Sequence, residues 1–211
     1  MKKLRKHFAP SKIRFFACGE YGPKTLRPHY HALLFNCYFP DQKYFKKLPN
    51  NQILYTSDTL TSLWSYGLPT IGAVNYQTAG YCARYVVKKY TGKLADNHYF
   101  RVSPIDGNTY RVMPEFSVQS RMPGLGTTWF EKYKSDCFPS DFLIVDGHKV
   151  PVPRFYSLKL EEEQLHKIKR ARKRASLPHK PNSTPERLHV REIIKQEKAK
   201  QLLRSLKEDD Q

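Results

Sequence analysis

RPHYHALLF, residues 27–35, is the stretch from which the fold is read. Side chains on a strand alternate between faces, so His29 and His31 project to one side and Tyr30 to the other. The preceding run IRFFACGEY (13–21) has the same strand character, and Gly22-Pro23 between them is a strong turn signal. Two strands joined this closely pair antiparallel. With the turn centred between Lys24 and Thr25, Glu20 stands opposite His29 on the same face. Two imidazoles and a carboxylate then converge with coordination positions left open. Nitrogen and oxygen donors without thiolate suit Mn²⁺ or Mg²⁺. Taken singly, HYH equally describes two surface histidines on an edge strand, and Glu20 a partner for one of many basic residues.

A second pattern lies in QTAGYCARYVVKKY (77–90), which reads as a helix with Thr78 as a cap and Gly92 beyond its end. Tyr81 and Tyr85 are spaced i, i+4 and share a face, with Lys88 on the same stripe and Lys89 further round. Two tyrosines at this spacing commonly pack a core. A lysine on their stripe, with Gly80 and Ala83 keeping bulk low, suits phenols aimed at a polar pocket instead. A phenol, with an ordinary pKa of about 10, is a poor nucleophile at neutral pH without help. A nearby metal that polarises a phosphate, together with Lys88, would supply it.

Around these patterns the chain is strongly basic. Its 211 residues carry a formal charge of +18 with 39% hydrophobic content. Such a field favours polyanions, because neutralised phosphates release their counterions. Arg27, Arg84 and Lys89 near the two patterns, and Lys169, Arg170, Arg172, Lys173 and Arg174 in KIKRARKR (167–174), are the candidate DNA contacts. Cys18, Cys37, Cys82 and Cys137 lie far apart without a CxxC pair, so neither a zinc site nor a disulfide framework is expected. The absence of a membrane-length apolar run and of a signal peptide places the chain in the cytoplasm.

Composition divides the chain near Tyr156. Residues 1–158 read as one α+β domain and 159–211 as a basic helical tail. Within the domain, 41–66 reads as a helix or two ending at Tyr66-Gly67-Leu68-Pro69, and Ile71 to Tyr76 as a short strand. Residues 99–118 suit a hairpin around Asp106-Gly107-Asn108. Trp129 to Lys134 suits a short helix, followed by a hairpin with Asp146-Gly147 at its tip. In the tail, Leu160 to Ala175 is helical, 176–185 is a proline-containing linker, and a second helix starts at Pro185.

FFACGEYG (15–22), RPHYHALLF (27–35), YCARYVVKK (81–89), MPGLG (122–126) and PRFYSLKL (153–160) together resemble the HUH endonucleases. The resemblance is closest to the rolling-circle replication initiators of gokushovirus-type microviruses, small single-stranded DNA phages. It implies an antiparallel sheet with flanking helices on a ferredoxin- or RRM-like plan. It implies His29, His31 and Glu20 as ligands of Mg²⁺ or Mn²⁺, Tyr81 and Tyr85 as paired nucleophiles, and Lys88 as their lysine. The implied activity is site-specific nicking and rejoining of single-stranded DNA at a replication origin through a 5′-phosphotyrosine, in the bacterial host cytoplasm. Host helicase and polymerase are implied partners, since no Walker-type phosphate loop is present. Initiators of this kind carry a further segment before KKLRKHF, including a strand of the central sheet, so the sheet is expected to be one strand short.

Two other readings stand beside this one. A binding module would hold DNA on the same basic, aromatic-rich surface without cutting it, with Tyr30 as a stacking platform and Phe15 and Phe35 in the core. A truncated, inactive remnant of a phage gene would fold poorly.

Overall fold

The computed structural model describes residues 1–22, 26–103 and 105–208, apart from the side chains of residues 87, 88 and 202–208. Met1–Leu125 and Gly126–Gln211 form two compact units.

The first unit is built on β1 (Arg14–Tyr21) and β2 (Pro28–Phe35), which pair antiparallel from Arg14↔Phe35 to Tyr21↔Pro28. Glu20 faces His29 in this register, as the turn position requires, although residues 23–25 at the tip lie outside the described residues. A later strand, Phe116–Gln119, pairs with the other side of β1, leaving β2 at an edge of the three-stranded sheet. Gly19 is needed for this pairing. A Cβ there would stand 2.5 Å from Cε1 of Phe116, whose ring crosses the strand.

Residues 41–66 depart from the helical expectation. Their first half is a hairpin of β3 (Lys43–Lys47) and β4 (Ile53–Thr56), and only Asp58–Leu63 is helical, as α2. Pro49 cannot donate to a helix, and Asn51 adopts φ 64°, so the connection turns the chain back. Ile71 to Tyr76 is likewise not a strand. Ile71 makes a single bridge to Tyr55, and Asn75 already caps the next helix, α3 (Tyr76–Arg84). In that capping box Asn75 accepts from the Thr78 N–H, and Thr78 Oγ1 accepts from the Asn75 N–H. The α-helix closes earlier than its pattern suggests, passing into a 3₁₀ turn at Tyr85–Lys88.

The two sheet faces are occupied differently. Cys18, Glu20, His29 and His31 share one face, against which α3 and its 3₁₀ turn pack. The Cys18 thiol donates to the Cys82 carbonyl at 3.6 Å, fastening helix to strand. On the other face Leu34 meets a small core of Leu4, Ile13 and Phe39, joined by Leu60 and Leu63 of α2. Each such buried side chain contributes about 1.5–3 kcal/mol. Phe15 is half-buried and Phe35 is 37% exposed, so neither is a core anchor.

Further on, α4 (Lys93–Tyr99) leads into a hairpin of β5 (Phe100–Val102) and β6 (Thr109–Arg111), then into β7 (Phe116–Gln119), the third strand of the sheet.

In the second unit, α5 (Thr127–Cys137) precedes the hairpin of β8 (Phe142–Val145) and β9 (His148–Pro151). Asp146 and Gly147 both have positive φ at its tip, as a two-residue loop of this kind demands. After α6 (Arg154–Ser157), α7 (Glu162–Ser176) is part of the unit's core rather than a loose tail. Its Ile168, with Leu160 just before it, is buried with Phe130, Cys137 and Val152. The compositional change near Tyr156 therefore falls inside a compact unit. Beyond the 3₁₀ segment Leu177–Asn182, the long α8 (Pro185–Glu208) begins at the expected proline.

Candidate active site

The site forms where the tyrosine helix crosses the His29–His31 face. His31 is half-buried on β2, opposite Cys18. Its Nε2 lies 3.3 Å from Oε1 of Glu20, which is only 7% exposed. A buried carboxylate requires such a partner, since an uncompensated charge there is costly. The His31 ring stacks on Tyr85 with centroids 4.4 Å apart and planes 7° apart. Tyr81 approaches the same imidazole edge-on at 5.5 Å. The two phenol hydroxyls are hydrogen-bonded to each other, Tyr85 donating to Tyr81. Glu20, His31, Tyr81 and Tyr85 thus form one contiguous cluster. Tyr85 is buried and Tyr81 partly open, so an incoming strand meets Tyr81 more readily.

His29 belongs to the face but stands outside this cluster. Its imidazole lies over Gly22, where a Cβ would meet its Cε1 at 2.8 Å. Gly22 makes room for that ring, a role the turn signal concealed. Among the described residues, no three His, Cys, Asp or Glu side chains gather closely enough to hold an ion. The donor set is nonetheless of the expected chemistry and on the expected face, with two of its three members in contact.

Arg84 is brought to the site as well. Its guanidinium carbon lies 5.9 Å from the Tyr81 ring centroid. Its Nε is buried without a hydrogen-bond partner among the described residues. Buried donors of this kind are normally satisfied, so the position suits an incoming acceptor. Lys88 lies on the 3₁₀ turn, its side chain outside the described residues, and Lys89 is exposed just after it.

Behind the tyrosines lies a support that the sequence did not signal. Tyr99, 1% exposed, donates its hydroxyl to Glu115 Oε2 at 2.5 Å and accepts the Tyr90 N–H at 3.0 Å. Burial first, and the Glu115 carboxylate second, push this phenol up from its ordinary pKa. Glu115 immediately precedes β7, so nothing local to its sequence marks it.

In the second unit, Lys169, Arg170, Lys173 and Arg174 are exposed on α7. Arg172 is engaged otherwise. Its Nε and Nη2 each donate to Asp141 at 2.6 Å, and Nη2 also reaches Ser157 at 3.3 Å.

Comparison with known proteins agrees with the motif reading. Residues 1–90 match the family model of the ORF2-type replication-associated proteins. The replication-associated protein VP4 of Bdellovibrio phage phiMH2K is 33% identical over 146 residues, covering 68% of this chain and 42% of the relative. The replication-associated protein ORF2 of Spiroplasma virus 4 is 29% identical over 170 residues, 77% of this chain and 49% of the relative. That of Chlamydia phage 1, ORF4, is 24% identical over 163 residues, 74% and 38% respectively. The chain therefore spans less than half the length of these relatives. The resemblance to gokushovirus-type replication initiators is borne out. No solved structure matches the chain.

Proposed function

We propose that this chain acts in phage DNA replication by nicking and rejoining one DNA strand through Tyr81 and Tyr85, as the cutting portion of a rolling-circle initiator. The observation that carries this reading is the cluster itself. Two hydrogen-bonded phenols rest against a histidine that is in turn bonded to a buried glutamate. An ordinary core would not gather these four groups at a sheet edge.

In this reading Arg84 receives a phosphate oxygen of the strand, and Lys88 adds positive charge beside the reacting oxygens. The Tyr81 oxygen attacks phosphorus while Tyr85 donates a hydrogen bond to it, which favours its negative charge as the proton leaves. The P–O3′ bond breaks, the departing oxygen takes up a proton, and a free 3′-OH remains for a polymerase. The 5′ phosphate stays on the tyrosine. Because one phosphate ester replaces another, the bond energy is kept and the strand can be resealed. A second tyrosine allows a second transfer within the same site. Glu20, His29 and His31 would hold Mg²⁺ or Mn²⁺, which when bound supplies Lewis-acid polarisation of the phosphate. Glu20 in addition fixes the orientation of His31, and through it the ring of Tyr85.

The implied substrate is a single-stranded origin in the bacterial cytoplasm, with helicase and polymerase supplied by the host. No helix among the described residues is long and apolar enough to cross a membrane.

Incubation with Mn²⁺ and a random-sequence library of labelled single-stranded DNA tests the proposal. A covalent adduct that survives denaturing electrophoresis is expected, and recovery of the attached strands reveals the recognised sequence. His31→Ala should abolish the adduct while sparing most salt-sensitive binding. Tight binding with no adduct under any divalent metal would instead establish a non-cutting DNA-binding module.

A further inference from the structure

The face of β2 that points away from the histidines carries an open aromatic recess. Arg27, Pro28, Tyr30, Trp64, Tyr66 and Gly67 enclose about 370 Å³, within the roughly 300–1,000 Å³ of small-ligand sites. Tyr30 is 54% exposed and Tyr66 75% exposed, unusual values for aromatic rings that also touch other rings. The rings are ordered relative to one another. Trp64 meets Tyr30 edge-on at 5.2 Å and Tyr66 at 5.4 Å. Trp64 is held from both ends of its neighbourhood. It closes α2, whose Leu63 packs against the small core, and its indole N–H donates to the Tyr66 carbonyl at 2.7 Å. Gly67, at φ 69°, turns the chain beneath Arg27, whose Nη2 lies 3.7 Å from where a Cβ would stand.

We infer that this recess is a base-stacking subsite for an unpaired nucleotide of the bound strand, with Arg27 taking the adjoining phosphate. The inference rests on the nicking reading for its occupant. Three observations favour a nucleobase. The recess offers ring faces and edges, against which any base can stack irrespective of sequence. A guanidinium stands on its rim in a chain of charge +18, matching a phosphate beside each base. Finally, Tyr30 sits between His29 and His31 on a strand at the sheet's edge. The cutting face and the recess are therefore back to back across a single strand. A DNA chain leaving the tyrosines can pass round that edge and seat a neighbouring base on Tyr30. The alternation that places both histidines on one side thereby places a stacking platform on the other. Such an anchor beyond the scissile phosphate would hold the cut end for rejoining.

Binding in EDTA, where no cleavage interferes, tests the inference with an oligothymidylate of about twelve nucleotides and an abasic strand of the same length. Wild type should prefer the strand with bases. Tyr30→Ala with Tyr66→Ala should weaken oligothymidylate binding on the order of tenfold and leave abasic binding unchanged. Arg27→Gln should weaken both strands and reduce the salt slope by about 0.7. In a Trp129→Phe background, oligothymidylate should quench the emission of Trp64. Equal affinity of the double variant and wild type for both strands would overturn the subsite, as would equal loss on both strands or an unquenched Trp64. The two readings fail separately. Adduct formation with binding unaltered by the double variant overturns the recess alone, and base-selective binding without any adduct overturns nicking alone.

Discussion

His31 meets Glu20 through a ring nitrogen and Tyr85 through its ring face, so one imidazole links the carboxylate to the phenols. That arrangement depends on the chain just beyond the phenols being held in place. Tyr99 does this by accepting the Tyr90 N–H while donating to Glu115. Tyr99→Phe leaves both groups short of a partner in a buried place, so a stability loss of about 1–3 kcal/mol is expected. Thermal melting would register it, and adduct yield should fall in parallel. Much of the site was legible at this scale. Strand alternation put His29 and His31 on one side, and antiparallel pairing across a turn of known centre put Glu20 opposite His29. Helical spacing brought the two tyrosines to one stripe. Glu115, Tyr99 and the room Gly22 leaves for His29 were not legible, because each acquires its meaning from a residue distant in sequence or across a turn.

Among the elements, α3 carries the nucleophiles and owes its start to one reciprocal cap. Asn75→Ala removes the acceptor for the Thr78 N–H, at a cost of about 1 kcal/mol. A lower melting temperature and a lower adduct yield are expected, with DNA affinity at a given salt little changed. A second element-level prediction concerns pH. The Thr59 N–H, and next the Ser57 hydroxyl, hold the Asp41 carboxyl down to about 2, fixing the start of α2. Because the folded value is depressed, the stabilisation is complete above the unfolded value of about 3.9 and is lost as pH falls through about 2. The melting difference between wild type and Asp41→Ala should accordingly shrink over that interval and persist at neutral pH. Elements with a turn of fixed chemistry were readable from sequence, as with Asp146-Gly147. The β3–β4 hairpin was not, because its aromatic and lysine-rich strands carry too little alternation to separate from a helix, and Pro49-Asn50-Asn51 was the overlooked signal.

For the molecule as a whole, charge and core do not follow the same boundary. The basic run on α7 lies on a helix whose Ile168 is buried with Phe130 and Cys137, and α8 beyond it carries acids and bases in near balance. A chain ending at residue 176 should therefore keep its cooperative melt and nearly all of its DNA affinity. A chain ending at residue 159 should lose the melt of the second unit, since Leu160, Leu165 and Ile168 leave its core. Within α7, Lys173→Gln should lower only DNA affinity. Arg172→Gln should also destabilise the fold by up to about 1 kcal/mol, because Arg172 is tied to Asp141. Composition placed the domain boundary near Tyr156 because charge density rises there, whereas packing continues through α7.

Mass spectrometry of the trapped adduct addresses the phenol cluster most directly. Arg84 lies between Tyr81 and Tyr85, so trypsin separates them, leaving Tyr81 on the peptide 48–84 and Tyr85 on the peptide 85–88. Nucleotide mass on one or both of these peptides, lost on Tyr81→Phe with Tyr85→Phe, is the predicted result. Attachment to any other residue, or an adduct undiminished in the double variant, would contradict it.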